Sequence, residues 1–178
     1  IDAINKSKYS DQIQLIIAGQ GPRKEQILKQ AKSLKNPAIV NFYTHEELLD
    51  VIAMSDLYAH PAQVEIEAMS CMEAFAGGLV PIIADSKKSA TPQFALDERS
   101  LFETGNSDDL AKKIDYWIEH EQERKEMEYK YSESAQKYKL EECVLKAEEM
   151  FEMAIEDTNR AKEEGRYAKK KDGKYIKA

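Results

Sequence analysis

The chain is short of the residues that staple, ligate or cross a membrane. It has two cysteines, Cys71 and Cys143, which lie far apart, and three histidines, none at metal-ligand spacing from a cysteine. That excludes a disulfide framework and a zinc-finger type of site, and it fits a reducing cytoplasm. No apolar run approaches the length of a membrane span, and no signal peptide is visible. There is no basic excess either: the formal charge is −7, which argues against a general nucleic-acid binder. Internal repeats and low-complexity linkers are missing too. The first residue is not methionine, and Ile1-Asp-Ala-Ile-Asn opens mid-pattern, like the end of a helix whose beginning lies elsewhere. The expectation is a fragment cut at its N-terminus.

What remains is an ordinary soluble composition, with 42% hydrophobic and 33% charged residues over 178 positions. That length suffices for one domain with its own core plus appendages. The charge is uneven. From Asn159 onward eight Lys/Arg face three Asp/Glu, a local +5 that leaves −12 on the rest. The expected division is a ligand-binding domain over 1–158 and a basic, disordered tail over 159–178.

Strand and helix signals alternate through the first hundred residues. Ile13 to Ala18 is a β-branched run closed by the turn Gly19-Gln-Gly21-Pro22. Ile27, Leu28, Ala31 and Leu34 recur at helical spacing. Ala38 to Phe42 reads as a second strand, and Thr44-His-Glu-Glu47 as a capping box opening a helix. Asp56 to His60 is a third strand and Leu79 to Ala84 a fourth. Ser100 to Phe102 adds a possible fifth, after which Ser107 is expected to cap a helix carrying Leu110, Ile114 and Trp117. Glu121 to Glu164 reads as one or more exposed amphipathic helices. Short apolar strands separated by single helices imply parallel pairing, hence an α/β, doubly wound, Rossmann-like sheet followed by C-terminal helices. In such sheets ligands bind beyond the carboxyl ends of the strands. The loops Gly19–Pro22, Tyr43–Thr44, Pro61–Met69 and Asp85–Pro92 are therefore expected to open on one edge.

On that edge lies the segment richest in chemistry, Glu65-Ile-Glu-Ala-Met-Ser-Cys-Met-Glu73-Ala-Phe-Ala-Gly-Gly-Leu-Val-Pro81-Ile-Ile. It sets two carboxylates eight residues apart across the mouth of a helix. A loop-to-helix entry offers free backbone N–H groups and partial positive charge, suited to a phosphate, while carboxylates can accept sugar hydroxyls. A plainer reading stands beside it, in which both glutamates are solvated and merely complement the helix dipole. His60 is a candidate acid or base, but at a strand end beside Pro61 it reads first as structural or supporting, and His45 and His120 read as surface residues. Cys71 reads as a small buried hydrophobe. Lys87 and Lys88 are either solvated or placed to meet a phosphate.

This segment resembles the C-terminal domain of the family 4 (group 1) retaining glycosyltransferases, enzymes of the two-domain GT-B fold. Their Glu-x7-Glu motif, followed by Ala-x-Ala-x-Gly-x-Pro-[Val/Ile]-Ile, is matched by Glu65, Glu73-Ala-Phe-Ala-Gly-Gly-Leu-Val-Pro81-Ile-Ile. The likeness runs from about Ile13 to Leu110. It includes Leu15-Ile-Ile-Ala-Gly19-Gln-Gly21-Pro22, Val40-Asn-Phe42 and Glu46-Glu-Leu-Leu. The run Ser89 to Arg99 is similar to the bacterial glycolipid-forming branch, the cholesterol and diacylglycerol glucosyltransferases.

The resemblance implies a hexosyltransferase using a nucleotide sugar, UDP-hexose in the first instance, with no metal. Glu73 would hold the ribose hydroxyls, and Glu65, the candidate catalytic residue, would sit near the donor hexose. The backbone of Ile66, Glu67, Ala68 and Met69 would hold the diphosphate. Phe42 and Tyr43 would border the base, with Gly19 and Gly21 in the neighbouring loop. Where the family has Phe-Gly after its first glutamate, this chain has Glu67-Ala68. The family's diphosphate-binding Arg and Lys, its acceptor-binding N-terminal domain and that domain's histidine would lie ahead of Ile1. The chain alone is therefore expected to bind nucleotide weakly. The acceptor would be a lipid or a growing glycan, as in capsule and polysaccharide synthesis, and the enzyme cytoplasmic, on the inner face of the membrane. The basic tail would be free in solvent or drawn to anionic lipid. A non-catalytic nucleotide-sugar-binding or scaffolding module is the reading of another class.

Overall fold

The computed structural model describes residues 1–169 and 175–177. It divides into two compact units, Ile1–Ala135 and Gln136–Ala178.

The first unit alternates as its apolar pattern dictates. Helix α1 (Asp2–Lys6) is followed by β1 (Ile16–Ala18), α2 (Lys24–Ala31), β2 (Ile39–Asn41), α3 (His45–Ala53) and β3 (Leu57–His60). Then come α4 (Met69–Ala76), β4 (Val80–Asp85), β5 (Leu101–Glu103), α5 (Ser107–Glu119) and α6 (Glu121–Ala135). Every strand pair in this unit is parallel, as expected of strands joined by crossover helices. The sheet is nevertheless split. Among the described residues β1 pairs only with β2, and β3–β4–β5 form a separate three-stranded sheet. In the doubly wound order 3-2-1-4-5-6, these five strands fill every place except the central one. No described residue supplies a strand between β1 and β3.

β4 is the centre of the main core. Val80, Pro81, Ile82, Ile83 and Ala84 are all buried, so both faces of the strand are covered. Cys71 and Phe75 of α4, Phe102 of β5, Trp117 of α5, and Met127 and Tyr131 of α6 close around it. A smaller cluster of Ile4, Ala31 and Leu34, joined by Ile13 and Leu15, serves β1 and β2. Ile52 of α3 meets Ala74 and Leu79 in a third.

The two glycines that end α4 have separate reasons. Gly78 has φ 91°, a left-handed turn that an L side chain resists. Gly77 has an ordinary φ, but a Cβ there would drive into Cγ2 of the buried Ile52. Because that methyl is on a stiff β-branched stem, it cannot swing aside. Gly77→Ala is expected to cost about 1–3 kcal/mol by overpacking. Calorimetry should show a drop of several degrees; an unchanged midpoint would mean that the contact of α3 with α4 is soft.

One sequence expectation changes in detail and another holds. The cap of α5 is Asn106, whose side chain accepts from the N–H groups of Asp108 and Asp109, and Ser107 is the first helical residue. Asparagine reaches two amides at once, and Gly105 at φ 81° turns the chain to present it. The capping box at Thr44 forms as expected, with Glu47 N donating to the hydroxyl and Thr44 N to the Glu47 carboxylate.

The second unit carries a 3-10 turn, Gln136–Tyr138, and the helix α7 (Leu140–Glu163). The charged stretch from Glu121 is therefore two helices, α6 and α7, broken at that turn. Residues 159–163 of the expected tail continue α7. Tyr167–Lys169 (β6) pairs antiparallel with Tyr175–Lys177 (β7). Lys170, Lys171 and Lys174 of the basic run lie outside the described residues. Among the described residues no helix is long and apolar enough to cross a membrane.

Candidate functional site

The loop from β3 to α4 is where the structure concentrates polar order. It is stitched to the loop after β4. Ala90 N donates to Glu65 O at 2.9 Å, Glu65 N to Lys88 O at 3.4 Å, and Ser86 Oγ to Gln63 O at 2.6 Å. Glu65 and Ser89 thus form a parallel bridge that extends the β3–β4 pairing beyond the strands themselves. The loop then turns through Ala68, at φ 58° the sole non-glycine residue with positive φ among those described. An alanine there costs roughly 1–2 kcal/mol against a right-handed conformation. The strain sits at the position where the sequence departs from the expected glycine. Ala68 is also the N-cap of α4: Cys71 N and Met72 N both donate to its carbonyl. Met69 and Ser70 are the first two residues of the helix, where backbone N–H groups have no acceptor within it.

Glu65 lies across that mouth. Its Oε1 accepts from Ile66 N at 2.9 Å and Glu67 N at 3.3 Å, so two of the four amides expected to hold a diphosphate, Ile66 to Met69, are engaged within the loop instead. Hydrogen bonds from the backbone of Ala68, Ile66 and Glu67 hold its carboxyl below the usual range, so it is ionised. Oε2 is turned the other way, 3.9 Å from Nε2 of His60. Burial pushes the His60 imidazole below its ordinary pKa, against the opposing pull of Glu65, which leaves the ring neutral near pH 7. Its Nδ1 meets Tyr58 Oη at 2.9 Å, and that hydroxyl meets Ser70 Oγ at 3.0 Å. Tyr58 is itself pushed up to about 12, chiefly by burial, and stays a phenol.

Glu73 projects one turn into α4, half-buried, with its Oε1 3.8 Å from Nδ1 of the exposed His45. This contact brings the start of α3, just after β2, beside the second glutamate. His45, expected at the surface, is exposed, but it faces the site. Cys71 is fully buried and its thiol is pushed up to about 12, in keeping with the expected apolar role.

The other expected positions are less engaged. Gly19 N donates to Asn41 O, ending the β1–β2 ladder, and Gly21 O accepts from Lys24 N in the following turn. Phe42 is 59% exposed and Tyr43 is half-buried at the end of β2. Val64, Ile66 and Met69 are also open to solvent, which makes the lip of the β3–α4 loop apolar. Lys87 and Lys88 are exposed, and the Lys88 carbonyl serves Glu65. His120 stacks on Tyr116 at 4.1 Å and bonds its carbonyl, away from the glutamates. Among the described residues no three His, Cys, Asp or Glu side chains gather where they could share a metal. A groove of about 570 Å³ lined by Asp56, Gly77, Arg124 and Tyr129 opens at the opposite, amino-terminal end of β3 and β4.

Chemically, the arrangement offers helix-mouth amides for an anion, one ionised carboxylate aimed by the backbone, and a second carboxylate a turn away. Such a set accepts hydroxyl donors on either side of a phosphate.

Residues 1–138 match the family described as Glycosyl transferases group 1. No curated protein matches the chain. Among solved structures, the chain is similar to the catalytic domain of cholesterol-alpha-glucosyltransferase from Helicobacter pylori. Identity is 46%, with 77% of this chain and 86% of that one covered at a TM-score of 0.74. TarM is 24% identical, with 84% and 31% covered and a TM-score of 0.72. Anabaena Alr3699/HepE in complex with UDP is 16% identical, with 86% and 43% covered and a TM-score of 0.69. These last two share the fold, and this chain spans less than half of their length.

Proposed function

Because the chain belongs to the group 1 glycosyl transferases, we propose that it forms the donor-binding part of a retaining hexosyltransferase. The donor is UDP-hexose and the acceptor a membrane lipid. One observation carries the reading: an ionised Glu65, fixed by the amides of its own loop, and Glu73 flank the open amino-terminal mouth of α4. Every residue of this reading lies in the first unit, Ile1–Ala135. In the complex, Glu73 accepts the ribose hydroxyls and the helix-mouth amides at Met69 and Ser70 meet the diphosphate. Glu65 faces the hexose, while Phe42 and Tyr43 border the base beside Gly19 and Gly21. A departing nucleoside diphosphate gains negative charge in the transition state, and fixed N–H dipoles stabilise it without a metal ion. The UDP bound in the Anabaena structure and the glucosyl chemistry named for the Helicobacter pylori enzyme support the choice of donor. The same enzyme's sterol substrate supports a lipid acceptor, and with it a place on the inner face of the membrane. The basic tail would add attraction to anionic lipid.

The test is a thermal shift. UDP at a hundredfold excess over its Kd should stabilise the chain by about 2.7 kcal/mol. For a chain of this size that is roughly 5–10 °C. Uridine, which lacks the diphosphate, should give little. Equal shifts with uridine and UDP would remove the helix mouth from the reading.

A further inference from the structure

His60 is 6% exposed, and among the described residues its Nε2 has no hydrogen-bond partner. A buried ring nitrogen left unpaired is costly, and so its surroundings indicate what it is kept for. They form a directed chain. The carboxylate of Glu65, 3.9 Å away, can only accept, so Nε2 carries the hydrogen. Nδ1 must then accept, and Tyr58 Oη, 2.9 Å away, donates to it. The phenol oxygen in turn accepts from Ser70 Oγ at 3.0 Å. Every hydrogen in the series points toward Glu65. The alternation of β3 puts Tyr58 and His60 on the same face, and the second position of α4 supplies Ser70, so strand and helix both brace the ring.

Glu65 has one oxygen left to be braced. Oε1 is occupied by the amides of Ile66 and Glu67, while Oε2 is the atom that faces His60. A closure of about 1 Å would bring the pair within hydrogen-bond range. We propose that His60, oriented by Tyr58 and Ser70, is a positioning residue that locks the Glu65 carboxylate against the sugar of the donor. It sets how well the site distinguishes a nucleotide sugar from the bare nucleotide. The inference rests on the donor-site reading above and adds to it a residue that touches neither nucleotide nor diphosphate.

The measurement is the ratio of UDP-glucose to UDP affinity, by calorimetric titration of the chain. His60→Phe keeps the ring's bulk but loses both nitrogens, and should lower the ratio about tenfold with UDP affinity held. His60→Gln, whose amide can still donate from nearly the Nε2 position, should restore it to within about threefold. Tyr58→Phe removes a single oxygen from the chain, and should lower the ratio by a smaller factor even if His60→Phe folds poorly. In a Glu65→Gln background, His60→Phe should have no further effect on the ratio. Equal weakening of UDP and UDP-glucose by His60→Phe, or failure of His60→Gln to rescue, would reduce His60 to a packing residue. If the unsubstituted chain binds no UDP, the donor-site reading falls and this proposal with it. If it binds UDP and the ratio ignores His60 and Tyr58, only this proposal falls.

Discussion

Glu73→Ala is expected to remove most of the UDP-induced thermal shift while leaving the unliganded midpoint close to that of the parent. The two halves of this result have different causes. Glu73 is partly exposed, and its contact with His45 at 3.8 Å is loose and solvated, worth little to the fold. Toward a ribose the same carboxylate would accept two hydroxyls. Hydrogen bonds to a charged acceptor contribute about 1.5–3 kcal/mol each, so a loss near 3 kcal/mol, or about a hundredfold in Kd, follows. At a UDP concentration that had been a hundredfold above Kd, the variant would sit near its own Kd. Its stabilisation would then be about 0.4 kcal/mol, a shift of about 1 °C. Glu73→Gln keeps one good acceptor oxygen and should fall between. A full UDP shift in Glu73→Ala would place the nucleotide elsewhere on the chain.

Trp117→Ala is expected to be the most damaging core substitution. The indole is fully buried in the main cluster, with Tyr116 edge-on at 5.1 Å and the Arg99 guanidinium 5.2 Å from the ring centroid. Arg99 is also held by Asp97 and Glu123, at 2.6 Å each, and its pKa is raised mainly by Asp97. Removing the ring leaves a cavity under that ion-pair group. Tryptophan-to-alanine truncations cost about 3–5 kcal/mol, a large share of a stability of roughly 5–15 kcal/mol. The midpoint should drop by about 6–20 °C. Trp117→Phe should be much milder, because it refills most of the space and deletes a buried N–H that has no partner among the described residues. Since Trp117 is the sole tryptophan, unfolding of both variants should be followed by circular dichroism or calorimetry. If alanine and phenylalanine proved equally damaging, the indole N–H would have a role that this packing does not explain.

Local signals carried far along this chain. The strand positions, the Thr44–Glu47 box and the helix mouth beside Glu65 are each dictated by near neighbours in sequence, and each forms within a few residues of where it was expected. Contacts across space were harder to read. Nothing in Thr44-His-Glu-Glu47 says that His45 comes to lie beside Glu73, since that depends on how α3 and α4 pack through Ile52, Ala74 and Gly77. The Tyr58–His60 pair had a readable signal, because two residues apart on a strand share a face. Its importance depended on Glu65 being pinned by the loop after β4, which a sequence does not display. The cap of α5 moved by one residue because Asn106 and Ser107 are both good caps, and Gly105 chose between them.

The split between β1–β2 and β3–β4–β5 has a consequence for handling the protein. Among the described residues no strand lies beside the inner edge of β3 or that of β1, so both present backbone donors and acceptors. In dilute solution water satisfies these groups. At high concentration a neighbouring molecule can satisfy them better, by laying an extended segment along the edge. Net charge opposes that approach only as far as salt permits. Low ionic strength is therefore the condition that keeps these edges apart.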